Sequence, residues 1–154
     1  MMTRVIEPAV APCWCLVAVG LLLCIAGCGS SGPRPIRVHG KNTLGGGAWP
    51  KEGVIYFTPL APAEGFPRRP GTAKFGTDGE FIVTTLTAGD GLYPGKYGAA
   101  VECWAIPPSM DPKAPPRRGV ADPKFESAGS SGLTLDVLPG SGPINVDFDV
   151  TPRK

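Results

Sequence analysis

The sequence predicts an all-β fold, a two-layer antiparallel sandwich of seven strands, and three observations carry that prediction. Short runs rich in β-branched and aromatic residues recur along the chain, and several alternate apolar and polar positions with the period of two that separates the faces of a sheet. Clusters of Gly and Pro punctuate those runs; the 154 residues include 22 Gly and 19 Pro. The clearest case is the stretch from Gly79 to Trp104, where one arm (Glu80 to Leu86) and a second (Lys96 to Trp104) are joined by Gly89-Asp90-Gly91 and Pro94-Gly95. In the second arm Tyr97, Ala99, Val101 and Cys103 fall on one face, and Glu102 belongs to the opposite, outward set.

The remaining strands follow in order. Ile36 to Lys41 is the first. Gly53 to Thr58 is a short apolar run expected to be buried on both faces. Pro59 to Pro70 holds four Pro and reads as a loop, after which Gly71 to Phe75 reads as a brief edge strand. Gly132 to Val137 and Ile144 to Val150 alternate cleanly, with Leu133, Leu135, Val137, Ile144, Val146, Phe148 and Val150 toward the core. Pro139 to Pro143 links these two as a hairpin. The segment 106–131 contains six Pro and few apolar residues, and reads as a long mobile loop. The domain so defined runs over residues 36–151.

The N-terminal region has a different character. No charged residue occurs from Pro8 to Pro33, Trp14 to Ala26 is almost wholly apolar, and Arg4 precedes the run. Positive start, apolar middle and small residues at the end make a secretory signal. Its last residues, Ile25-Ala26-Gly27-Cys28, resemble the lipobox of bacterial lipoproteins. That resemblance implies cleavage after residue 27, a diacylglyceryl group on Cys28, and an anchored domain outside the cytoplasm, at the cell membrane or outer membrane. Residues 28–35 then form a lipidated Cys and flexible spacer. Gly29 stands where an Asp retains some lipoproteins at the inner membrane. Two or three acyl chains on one Cys anchor stably, whereas one alone holds marginally. An uncleaved membrane-spanning helix is the alternative reading of the same run, close to the short limit for a span.

A second resemblance covers about residues 36–150. Val54-Ile55-Tyr56-Phe57-Thr58-Pro59, Thr77-Asp78-Gly79-Glu80-Phe81, Pro94-Gly95-Lys96-Tyr97 and Ser131 to Val137 resemble a bacterial lipoprotein family whose domain is described as carboxypeptidase-regulatory-like. The resemblance implies a transthyretin-like (prealbumin-like) Greek-key sandwich. It implies location and fold, with no established activity.

Chemistry is sparse. The formal net charge is +2, which gives no reason to expect a nucleic acid partner. His39 is the only His, and Ser130 and Ser131 lack the spacing of a nucleophile elbow, so no catalytic residues are assigned. A ureide hydrolase of the transthyretin fold needs several His and a C-terminal Tyr-Arg-Gly-Ser, and the chain ends Thr-Pro-Arg-Lys. Gly45-Gly46-Gly47 is not followed by the Gly-Lys-Ser/Thr of a phosphate loop and reads as a turn. Asp78, Glu80 and Asp90 lie in turns, where Asp more often bonds its own backbone than a cation; no metal and no cofactor is expected. Asp147 and Asp149 read as a solvated strand face. Five Cys occur, of which only Cys103 lies in the domain; it reads as a small core residue, and a bond to Cys28 is open only if Cys28 carries no lipid. Trp49, Tyr93 and Trp104 are the candidate ligand-contacting residues, as a sugar-stacking platform, although aromatics near strand ends more often cover a core edge. The first expectation is therefore a non-catalytic interaction or structural module of the envelope, its partners the membrane, through the anchor, and an envelope protein or glycan. A carbohydrate- or peptide-binding module using the Trp residues or the 106–131 loop is the alternative, and an enzyme the third.

Overall fold

The computed structural model describes residues 32–154. The signal segment and Cys28 lie outside them. The described residues contain no α-helix. They form ten strands: β1 (Val38–Leu44), β2 (Gly53–Pro62), β3 (Gly71–Phe75), β4 (Glu80–Ile82), β5 (Gly95–Glu102), β6 (Trp104–Ile106), β7 (Arg118–Gly119), β8 (Thr134–Val137), β9 (Ile144–Asn145) and β10 (Phe148–Val150). Among the described residues one 3-10 turn occurs, over Pro123–Glu126.

Eight strands make one sheet in the order β10-β1-β4-β3-β2-β5-β8, with β9 beside β1, and β6 pairs with β7 apart from it. The sheet is mixed rather than antiparallel, because β9 and β10 both run parallel to β1. They are two pieces of the single strand expected over Ile144 to Val150. Between them the ladder breaks, and the Asp147 carboxylate takes the place of a backbone acceptor by receiving the Lys41 N–H at 2.9 Å. One register below, Asp149 Oδ1 accepts the Thr43 hydroxyl at 2.7 Å and the Gly46 N–H at 2.8 Å. The aspartates expected to be a solvated face thus fasten β10 to β1 and pin the Gly45–Gly47 turn. Those hydrogen bonds to Gly46 and Thr43 hold the Asp149 carboxyl below its ordinary pKa.

The sheet curls into a nearly closed barrel. Laid flat, β2 and β10 would stand four strands, about 19 Å, apart. Yet the Phe57 ring of β2 lies 6.3 Å from Phe81 of β4 and 6.3 Å from Phe148 of β10, while Phe81 and Phe148 stack at 6.2 Å. These rings meet in the interior with Val38, Ile55, Val83, Leu92, Tyr97, Val101, Val137 and Val150, all buried. Asn42 is buried among them, its side chain without a hydrogen-bond partner among the described residues.

Other expectations change. The two arms around the Gly89–Pro94 link do not pair with each other: β4 lies between β1 and β3, and β5 between β2 and β8. Past Ile82 the first arm keeps two backbone bonds, Val83 N–H to Val38 O at 2.9 Å and Thr84 N–H to Thr72 O at 2.8 Å, and ends where Asp90 takes the N–H groups that follow. Its carboxylate accepts from Thr85 at 2.7 Å, Leu86 at 2.9 Å and Thr87 at 3.0 Å, which closes a loop instead of a ladder. Burial by itself would raise the Asp90 pKa, but the donors Thr85, Thr87 and Leu86 outweigh it and hold the carboxyl below its ordinary value. Gly91 then has φ +92° and rests on the Ile36 backbone, whose carbonyl oxygen a Cβ would strike. Likewise β8 and β9 take separate partners, β5 and β1, so Pro139 to Pro143 is a crossing link and not a hairpin. β3 is interior, between β2 and β4. β2 buries one face only, with Ile55 and Phe57 inward and Tyr56 and Thr58 outward. It also runs on to Pro62, past the end of β3. There an N–H on the β3 side has no strand to meet, so Pro59 and Pro62 remove no ladder bond.

The 106–131 segment differs most from expectation. Its first part is exposed, with Met110 at the surface. Its second part is a strap. β7 pairs with β6, the Val120 N–H bonds Cys103 O at 2.8 Å, the Asp122 N–H bonds Thr151 O at 2.9 Å, and the Arg153 N–H bonds Val120 O at 2.9 Å. Residues 120–122 therefore join the far end of β5 to the chain beyond β10. Ala121 and Phe125 are buried in the common core. Asp122 Oδ1 caps the 3-10 turn by accepting the Lys124 N–H at 3.0 Å. Ser131, buried, donates its hydroxyl to Ala99 O at 2.6 Å.

Candidate functional site

The outer face of β3, β4, β1 and β9 forms an open trough of about 1200 Å³. Its lining follows from strand periodicity. Each of these strands turns alternate residues inward, so the other residues line the trough. The strand registers then set them in rows. One row crosses four strands: Phe75 opposite Phe81 puts Lys74 opposite Ile82, Ile82 faces His39, and His39 faces Asn145. A second row holds Glu80 opposite Lys41, with Asp147 bonded to the Lys41 backbone. A third holds Thr72 opposite Thr84. Arg37 continues the outward set of β1. Neighbours within a row stand about 4.8 Å apart and successive rows about 6.7 Å. Ala88 and Gly89 wall one side, where the Gly89 N–H bonds Thr84 Oγ1 at 3.0 Å.

The trough carries Arg37, Lys41 and Lys74 against Glu80 and Asp147. Two ion pairs occur among the described residues, and both converge on Glu126 in the strap: Arg117 at 3.8 Å and Arg153 at 3.9 Å. The trough charges are therefore not consumed in pairs with described residues. Ile82, 58% exposed, is an apolar patch in the floor. Under β3, β4 and β1 the main-chain groups in the ladders are already committed, so a ligand over these strands meets side chains; β9 pairs with β1 alone.

The residues singled out in the sequence are dispersed. Trp49 is buried; its Nε1 donates to Asn42 O at 2.7 Å, and its ring packs on Phe75 at 4.8 Å. Tyr93 is buried, and its carbonyl accepts the Tyr97 hydroxyl at 2.9 Å. Burial raises the Tyr97 pKa, and the neighbouring Tyr93 adds to it. Trp104 is half-buried at the strap, with the Arg117 guanidinium 5.3 Å over its ring. The three do not make a shared platform. Tyr56, 40% exposed on the outward face of β2, is the aromatic side chain that alternation places in solvent. Partial burial, then the Glu102 charge and a hydrogen bond to it, raise its pKa.

His39 lies in the trough, between Ile82 and Asn145. Ser130 and Ser131 belong to the strap, and their hydroxyls bond Lys124 O and Ala99 O at 2.6 Å each. Asp78 accepts the Glu80 N–H at 3.2 Å. Like Asp90, it bonds its own backbone, as its place in a turn predicts. Cys103 is a buried free thiol in the core, as expected. Burial pushes its pKa up, against the smaller opposite influence of Lys51. No family model, no curated protein and no solved structure matches the chain. The functional reading therefore rests on the residues themselves.

Proposed function

We propose that the chain is a lipid-anchored, extracytoplasmic interaction module of the cell envelope, non-catalytic, tethered through Cys28. The observation that carries the interaction role is the trough: a wide concavity floored by outward side chains whose charges are not spent on described neighbours. His39 has Ile82 and Asn145 as its row neighbours, neither of them a nucleophile or an orienting acid, which supports a binding rather than a catalytic role. The anchor is supported by the uncharged run that ends Ile25-Ala26-Gly27-Cys28. A two-layer sandwich of transthyretin-like type is the finer architecture proposed for the curled sheet. The contacts of Phe57 with Phe81 and Phe148 support it, since they bring β2 against β4 and β10 as two layers would.

A carbohydrate- or peptide-binding module is the more specific form of this reading, and the trough favours it in place of the Trp residues. Metabolic labelling with a fatty-acid analogue tests the anchor. The full chain is expected to take up label and enter the detergent phase, and Cys28→Ala to do neither. Labelled Cys28→Ala protein, or an aqueous product retaining Met1, overturns it.

A further inference from the structure

We infer that the β3-β4-β1-β9 trough binds an acidic oligosaccharide, a ligand carrying both carboxylates and hydroxyls. The inference rests on the proposed reading of this face as a binding surface, and it names the ligand class. Three features of the trough select it.

The first is the layout of charge. Arg37, just before β1, and Lys41 on β1 are four residues apart in the same outward set, about 13 Å, and Lys74 lies two strands away, about 10 Å. Three cations this far apart suit an extended ligand with several separate anionic groups better than one compact anion. Arg offers a planar fork to a carboxylate and Lys a point charge. The second is the presence of acceptors among these donors. Glu80 and Asp147 flank Lys41, and Asp147 has one oxygen on the Lys41 N–H, which leaves the other for a ligand. A purely anionic ligand gains nothing from two carboxylates in its site. A ligand with hydroxyl donors does, and Thr72, Thr84 and Asn145 extend the same recognition. The third is the floor. Ile82 projects between Lys74 and His39 and offers an apolar surface to the C–H face of a sugar ring. An extended peptide is the weaker fit, because it binds a sheet through main-chain hydrogen bonds at an edge: β3, β4 and β1 beneath the trough are paired on both sides, and the one open edge, that of β9, is two residues long.

The test titrates the full chain, solubilised in detergent, with three probes: tetragalacturonic acid, its fully methyl-esterified form, and a tetraglutamate peptide. Tetragalacturonic acid is expected to bind; the ester, which loses the charge-assisted hydrogen bonds, and the peptide, which keeps carboxylates but has no hydroxyls for Glu80 and Asp147, are expected to bind about tenfold more weakly or not at all. Arg37→Gln and Lys74→Gln should each weaken binding by about tenfold on the same ground, while Arg117→Gln on the strap leaves it unchanged. Glu80→Ala separates the two parts of the inference. It weakens binding if hydroxyls donate to Glu80, and it strengthens binding if the trough reads charge alone. Equal binding of all three probes, tighter binding of the peptide, no binding of tetragalacturonic acid, or a gain on Glu80→Ala overturns the acidic-sugar assignment. A photo-crosslinking residue at Thr72 in cells tells the two failures apart. Crosslinks to envelope material without tetragalacturonate binding sink the sugar and keep the binding surface; no crosslinks and no binding sink both.

Discussion

The two outer faces of the curled sheet are treated in opposite ways. Over the middle of β5 the outward residues are small, Gly98 and Ala100, and both are buried, while Lys96 and Glu102 at its ends are not. Over Gly98 the covering comes from the strap, where Ala128 lies so close that a Cβ on Gly98 would meet its carbonyl oxygen at 3.1 Å. Over β4 and β1 the outward residues Glu80, His39 and Lys41 are polar, with Ile82 the apolar one among them, and nothing described covers them. Small residues admit a covering segment; Lys, Arg and Glu hold one off, because their charges resist desolvation. The chain thus supplies its own lid to one face and leaves the other as the trough. A face left open at the cost of exposing Ile82 is where an external partner has room.

Substitutions can break this contrast from the covered side. Phe125→Ala removes the strap's aromatic anchor from the core, and should lower unfolding free energy by about 3–5 kcal/mol. Chemical denaturation measures it. A loss under 1 kcal/mol would show that the strap is not part of the cooperative core.

The Asp90 loop, whose Ala88 and Gly89 wall the trough, should show an intermediate effect. Asp90→Ala frees three N–H groups that partly see water, and a cost of about 1 kcal/mol is expected, as for a lost cap. The sign with pH follows from the lowered carboxyl. The contribution is fully present above the ordinary carboxylate pKa of about 3.9 and is lost as pH falls through the lower folded value. Wild type and variant should therefore converge in stability in acid. A gap that persists there would mean that the carboxylate charge is not what holds the loop.

The trough itself should be the least sensitive region. Ile82→Thr and Arg37→Gln are expected to change stability by less than about 0.5 kcal/mol, the range for surface sites without special features. A larger loss would make the face part of the scaffold rather than a free surface.

How much of this was legible beforehand depended on the element. Strand positions were readable where alternation was clean, as in Thr134–Val137 and in the Tyr97, Ala99, Val101, Cys103 set. Partners were not, because pairing is non-local: Asp147 reaches Lys41 across 106 positions, and no local pattern announces a parallel match at that distance. The strap was hidden by composition. Its few apolar anchors, Val120, Ala121 and Phe125, sit among Pro and Arg at irregular spacing, so the segment reads as loop. The trough was half visible. Arg37, His39 and Lys41 alternate on β1, yet only the registers bring Lys74, Ile82 and Asn145 into line with them. Trp49 and Tyr93 lie in loops but pack inward, the core-edge reading that the sequence favoured over a sugar platform.

The fastening of β1 by β9 and β10 has a consequence for the order of assembly. The first of the described strands is completed by segments made about a hundred residues later. While a ribosome is still delivering the middle of the chain, β1 has an unfilled edge, and the barrel cannot close until Thr151 to Arg153 emerge to meet the strap. Such distant contacts slow folding. The polypeptide therefore stays open through most of its synthesis, and a handful of residues removed from the C-terminal end should undo the beginning as much as the end.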